Sequence, residues 1–174
     1  MDSLRFFPRW RPDDPYQVIG LLRMINDILA ANPAASRWLE IGSYRGESAT
    51  IFLGFPQIVT LDCVDHLAAA ADILRSKFPR EIAAGRCRVR QMSSAAFARQ
   101  AGELDVVYID GDHSYEAVRA DIAAYSVKLS PGGFLAGHDY HSGYPGVIKA
   151  VEKWREHRPI SVYADGSWCV RMPI

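Results

Sequence analysis

The spacing of apolar positions along the chain changes several times, and each change marks an element. Val18, Leu21, Leu22, Ile25, Ile28 and Leu29 recur at steps of three and four, which is one face of a helix. Asp14-Pro15 supplies an N-cap and a proline at the first helical position, and Asn32-Pro33 stops the run. The period then shortens. In RWLEIGSYRGESATIFL, residues 37–53, the apolar Trp38, Leu39 and Ile41 lead into Gly42 and Gly46. This reads as a strand, a tight turn and a helix over 46–53.

The same reading predicts strands over 57–63, 86–91, 104–110 and 134–137, with helices over 67–78, 94–100 and 114–129 and another starting at Pro145. Tyr115, Val118, Ile122, Tyr125 and Leu129 give the 114–129 helix a single core face. LDVVYID, an unbroken apolar run, suits a parallel strand buried on both sides. Ser130-Pro131-Gly132-Gly133 ends the preceding helix. Asp165-Gly166 between the β-rich runs 160–163 and 168–171 predicts a closing hairpin. Strands alternating with helices specify a doubly wound, mostly parallel seven-stranded α/β sheet with a C-terminal antiparallel hairpin. No linker or repeat divides the 174 residues, so one domain over 1–174 is expected, with 1–35 as an N-terminal helical segment packed on it.

Charge removes two classes of partner from the picture. Twenty basic and twenty acidic side chains cancel, so bulk charge draws the chain to neither nucleic acid nor an anionic membrane. Arg86, Arg88 and Arg90 alternate on one predicted strand and read as a solvated edge. No apolar run approaches the ~18 residues of a membrane span, and the opening MDSLRFFPRW has no long apolar core of a signal peptide. Cys63, Cys87 and Cys169 are widely spaced and lie in predicted strands. Buried free thiols in a reducing cytoplasm account for them.

In such a sheet a ligand lies beyond the carboxyl ends of the strands, near the switch in strand order. Four polar groups fall there: Glu40, Gly42, Ser43, Tyr44 and Gly46 after the first strand, and Asp62 at the predicted end of the second. Asp110, Asp112 and His113 follow the fourth, and His138, Asp139, Tyr140 and His141 the fifth. Any one of them could be a cap or turn; four at successive strand ends point to a site. Asp62, twenty residues past Gly42, can accept both ribose hydroxyls of a nucleotide-like ligand.

EIGSYRGESA, with its acid, two glycines, tyrosine and serine, resembles the glycine motif of the catechol O-methyltransferase group within the Rossmann-like class I S-adenosylmethionine-dependent methyltransferases. YIDGDHSYEAVRADI, LSPGGFLAGHDY and PGVIKAVEKW are similar to a set of small bacterial methyltransferases related to it. The resemblance spans nearly the whole chain and implies S-adenosylmethionine as cofactor and a small hydroxyl-bearing molecule as acceptor. It implies that Glu40, Ser43 and Gly46 belong to the cofactor motif and that Gly42 and Tyr44 lie along the methionine part. The Ser48 hydroxyl would meet its carboxylate, Asp62 would hold the ribose, Cys63 and Ser93 would lie beside the adenine, and Asp110 near the amino group. Metal-dependent relatives hold magnesium at positions that here are Asp110, His138 and Asp139. Histidine is a poor magnesium ligand, which opens the site to manganese, iron or zinc. The group's catalytic lysine is His113 here.

His113 suits proton removal near neutral pH; His141 could do the same, and a cap on the helix from Ser114 is the plainer role for His113. Three other functions stay open at this point: a nicotinamide-dependent oxidoreductase, disfavoured because Glu40-x-Gly42-x-x-x-Gly46 lacks Gly-x-Gly-x-x-Gly, a cofactor-binding protein without turnover, and a metal-bound enzyme of other chemistry on the same fold. With no inserted lid, only residues 1–14 and 139–146 remain to shape an acceptor pocket. The site is therefore exposed or completed by a second copy in a homodimer.

Overall fold

The computed structural model describes residues 15–174. The expected Asp14 cap lies outside the described residues. Helix α1 (Pro15–Ala31) buries Leu21, Met24, Ile25 and Ile28 against the sheet. Next come β1 (Arg37–Ile41), α2 (Glu47–Leu53), β2 (Thr60–Asp65), α3 (Ala68–Lys77), α4 (Pro79–Ala83), β3 (Cys87–Gln91) and α5 (Ser94–Ala98). The second half runs β4 (Leu104–Ile109), α6 (Tyr115–Ser126), β5 (Leu129–Gly137), α7 (Pro145–Arg155), β6 (Ile160–Val162) and β7 (Trp168–Arg171).

The seven strands stand in the order β3-β2-β1-β4-β5-β7-β6. All pairs from β3 to β5 are parallel, and the hairpin joins antiparallel through β7 on β5. The central strands bury both faces, so alternate residues serve different cores. Trp38, Val106 and Tyr108 face α1 and α2, whereas Leu39, Val107 and Ile109 face α6 and α7. Strand order reverses between β1 and β4, where Ile41 lies level with Ile109, and Ile109 with Gly137. The residues that follow, Gly42, Asp110 and His138, therefore leave the sheet at one height, around the crevice that the switch creates.

Several boundaries differ from the sequence reading for local reasons. Strand β2 starts at Thr60 because the Val59 and Thr60 amides both donate to the Ser36 carbonyl, at 2.9 and 3.0 Å, and residues 57–59 serve as the approach. It then runs on to Asp65. Pro79 at a helix N-terminus opens the separate short helix α4, which the alanine-rich pattern hid. Strand β5 takes in Ser130–Gly133 through an irregular register between Leu104 and Val106. Trp154 of α7 is half-buried under the Arg158 guanidinium, 4.3 Å from the ring centre. The three cysteines are buried free thiols. No helix among the described residues is long and apolar enough to cross a membrane.

Candidate active site

The glycine turn is shaped first by the protein itself. Gly42 has φ +85°, and a Cβ there would lie 2.2 Å from the Asp110 carbonyl oxygen. The turn after β1 thus rests directly on the turn after β4, an approach open only to glycine. Gly46, φ +69°, starts α2 against Leu74 of α3 and Phe78 just after it. Lys77 clamps the turn by donating to the Arg45 and Gly46 carbonyls at 3.1 and 2.9 Å. Tyr44, between the glycines, takes φ +38° and leaves half its surface exposed.

Glu40 points from β1 into the α1 and α2 side of the sheet and is fully buried. Ser48 of α2 donates to its Oε1, and its Oε2 is buried without a hydrogen-bond partner among the described residues. The Ser48 hydroxyl is thus committed to Glu40 rather than pointed at a ligand carboxylate. Burial raises the Glu40 carboxyl from 4.5 to about 7 against the opposing hydroxyl bonds, and the charges of Asp110 and Glu47 push the same way.

The acid at the end of β2 is Asp65. Asp62, expected to end the strand, is its third residue; Arg90 Nε holds its carboxylate at 2.7 Å and Arg88 approaches at 3.8 Å. Asp65 instead accepts from the Tyr44 amide at 3.0 Å and the Leu67 amide at 2.9 Å, which ties the end of β2 to the glycine turn. The sequence contained the signal: DCVD offers two acids, and the apolar Val64 between them continues the strand. Cys63 likewise lies inside β2, buried against Cys87 with the sulfurs 4.0 Å apart, and does not reach the crevice. Ser93 is exposed beyond β3 and caps α5.

The loops after β4 and β5 converge on one carboxylate. His113 Nε2 lies 2.7 Å from Asp139 Oδ2 and 3.8 Å from Asp110 Oδ1. On the other Asp139 oxygen, His138 Nδ1 stands at 3.2 Å and His141 Nε2 at 3.5 Å. Asp139 holds this central place with φ +62°, a left-handed conformation uncommon outside glycine. Tyr144 fits its ring between two imidazoles, with centroids 4.6 Å from His113 and 5.0 Å from His141. The helix cap that competed for His113 belongs to its neighbours. Ser114 Oγ accepts from Ala117, and Asp112 Oδ1 accepts from the Ser114 amide at 2.8 Å.

Charge is balanced within this cluster. Burial alone would lower the His113 imidazole, but hydrogen bonds and attraction from Asp110 and Asp139 raise it to about 9. His138, opposed in the same way by burial, is raised to about 9, chiefly by Asp139. Burial would raise Asp139, yet the two imidazoles hold it well below the usual carboxylate range. Asp110, His113 and Asp139 each offer a donor atom, and these atoms all lie within 4.8 Å of one another. The structure therefore draws the potential ligand set as Asp110, His113 and Asp139. His138, expected in that set, stands on the far oxygen.

Comparisons with known proteins extend this picture. The N-methyltransferase NodS from Bradyrhizobium japonicum WM9 superposes with a TM-score of 0.71 at 17% identity, covering 93% of this chain and 99% of that one. The O-methyltransferase from Bacillus cereus, solved with S-adenosylhomocysteine, gives 0.68 at 18% identity over 94% of this chain and 84% of its own. NovP, an O-methyltransferase, gives 0.64 at 17% identity over 91% and 83%. No curated protein sequence matches the chain. A family model described as a methyltransferase domain matches residues 39–140, more than half of the chain and all four strand ends of the crevice. The chain belongs to this family, and with its sheet order and glycine turn it is a class I S-adenosylmethionine-dependent methyltransferase.

Proposed function

We propose that the protein methylates a hydroxyl oxygen of a small molecule, such as a sugar or a phenol, at the Asp110, His113 and Asp139 cluster. The observation that carries this reading is the placement of His113 Nε2 against both carboxylates, 2.7 Å from Asp139 and 3.8 Å from Asp110. S-adenosylmethionine supplies a methyl carbon already made electrophilic by its sulfonium. The protein's part is to place the acceptor oxygen in line with that carbon and to remove its proton.

On this reading the backbone of Gly42, Ser43 and Tyr44 lines the methionine part of the cofactor. Glu40 Oε2, buried and without a hydrogen-bond partner among the described residues, accepts from the ammonium. Asp65 holds the ribose in place of Asp62, because its carboxylate lies at the glycine turn. Ser93 borders the adenine. His113 serves the reaction through Nε2, either by helping to hold a divalent ion or, being raised to about 9 and so mostly protonated at neutral pH, by taking the hydroxyl proton in its neutral form at alkaline pH. An ion fits the three donors, since their atoms lie within 4.8 Å of one another; when bound, it would lower the pKa of the acceptor hydroxyl.

His113→Ala should still bind S-adenosylhomocysteine and lose roughly 10²–10⁴ in turnover, measured by homocysteine release with a panel of phenols, sugars and amines as acceptors. Near-normal turnover at saturating cofactor and acceptor would refute a catalytic His113. Activity confined to amines would move the reaction to nitrogen.

A further inference from the structure

We propose that Tyr140 is a positioning residue for methyl transfer: through its hydroxyl bond to Glu152 it couples the loop after β5 to α7 and so holds Asp139 against His113. This rests on the placement of the reaction at that cluster. Tyr140 directly follows Asp139 and is anchored at both ends. Its amide donates to the Gly166 carbonyl of the hairpin turn at 2.9 Å, and its hydroxyl donates to Glu152 Oε1 on α7. The ring between them is half-buried against the α6 and α7 core.

Glu152 is itself fixed. Arg155, one turn further along α7, donates to both of its oxygens, from Nε at 2.7 Å and from Nη2 at 2.6 Å, and its Nη1 donates to the Arg158 carbonyl at 3.0 Å. A two-pronged guanidinium bond is directional as well as strong. The carboxylate that receives the phenol is thus set in place by α7. An ion pair this near the surface adds little to stability; its consequence lies in where it holds Tyr140.

The need for such an anchor follows from the backbone. Asp139 has φ +62°, and a non-glycine residue stays left-handed only where its surroundings over-determine it. The peptide leaving Asp139 is held from the hairpin turn on one side and from α7 on the other. The same helix fixes the partner of Asp139. A Cβ on Gly146 would lie 2.6 Å from the His113 carbonyl oxygen and 2.8 Å from the Tyr115 amide nitrogen, so the first turn of α7 rests on the loop after β4. Gly146 and Glu152 stand about 9 Å apart along that helix. One rigid element therefore holds His113 at one point and, through Tyr140, Asp139 at another. The 2.7 Å between His113 Nε2 and Asp139 Oδ2 is the separation this frame sets.

The test follows the His113 ring and turnover in the full chain. With isotope-labelled histidine and saturating S-adenosylhomocysteine, the Nε2 shift is read by nuclear magnetic resonance through the carbon-bound ring protons and assigned by its loss in His113→Gln. Tyr140→Phe and Glu152→Ala should move it and leave in place the signal of His66, exposed beyond β2. Each should lose roughly ten- to a hundredfold in kcat, with KM for S-adenosylmethionine unchanged, on the phenol, sugar or amine that the parent methylates fastest. Glu152→Gln, whose amide oxygen still accepts from the phenol, should lose less than Glu152→Ala. Tyr140→Phe combined with Glu152→Ala should lose no more than the worse single variant, because both remove one bond. An unmoved His113 signal in Tyr140→Phe, or losses that multiply in the double variant, would overturn the coupling. An active parent with an indifferent Tyr140→Phe defeats the role of Tyr140 alone. A His113 signal that moves in a chain that methylates none of the acceptors defeats the reaction placed at this cluster, and the role of Tyr140 with it.

Discussion

Glu40→Gln isolates the cost of an ionisable group buried beside the glycine turn. The Glu40 carboxyl titrates near 7 in the folded chain against 4.5 as its ordinary value, because burial disfavours the charged form. At 1.36 kcal/mol per pKa unit, ionising it in place costs about 3 kcal/mol. A raised carboxyl pKa gives stability that is whole below pH 4.5 and is lost as pH rises through 7. The glutamine variant has no such loss. It has a separate cost, since its amide puts a donor where Oε2 has no partner among the described residues, but that cost does not change with pH. The informative quantity is therefore the stability of variant minus parent, by urea denaturation, at pH 5 and pH 8.5. It should move in favour of the variant by about 2–3 kcal/mol between the two. Parallel pH dependence of both proteins, within about 0.5 kcal/mol, would refute the reasoning. If the cofactor's ammonium meets Oε2, binding of S-adenosylhomocysteine at pH 6 will release protons, and its heat will vary with the buffer.

Asp65→Ala should weaken S-adenosylhomocysteine by about 1–3 kcal/mol, the loss of a charged hydrogen-bonding group. Asp62→Ala should leave affinity alone, because its carboxylate is spent on Arg90; equal effects in calorimetry would cancel the reassignment. Asp105 resists burial through hydrogen bonds from Arg37, Ser36 and Ser130 and titrates near 2 instead of 3.8. Its contribution, about 1–2 kcal/mol after allowance for solvent screening, is present above pH 3.8 and lost as pH falls through 2. Acid unfolding of Asp105→Asn should lack that part of the slope. Gly42→Ala, with its methyl 2.2 Å from the Asp110 carbonyl, should lose at least about 3 kcal/mol or fail to fold. A variant within 1 kcal/mol of the parent, an amount ordinary for a harmless substitution, would show that the two turns can part.

The alternation of β and α, the unbroken run at β4 and the Asp165-Gly166 turn were legible from residues alone, because periodicity and turn chemistry are local. Local pattern also located the ends of β1, β4 and β5, from which Gly42, Asp110 and His138 leave the sheet. Strand register was not local. Where β2 begins is set by amides that donate to Ser36 on another segment, and a shift of two or three residues moved the strand-end acid from Asp62 to Asp65. The roles of the histidines were equally beyond the pattern. His113, His138 and His141 look alike in sequence, each within two residues of an aspartate. Only the left-handed turn at Asp139 and the approach of α7 to the loop after β4 put His113 on one oxygen and the other two on the opposite one. A side chain's chemistry is written in its residue type, but which atom it faces depends on backbone segments that meet from distant parts of the chain.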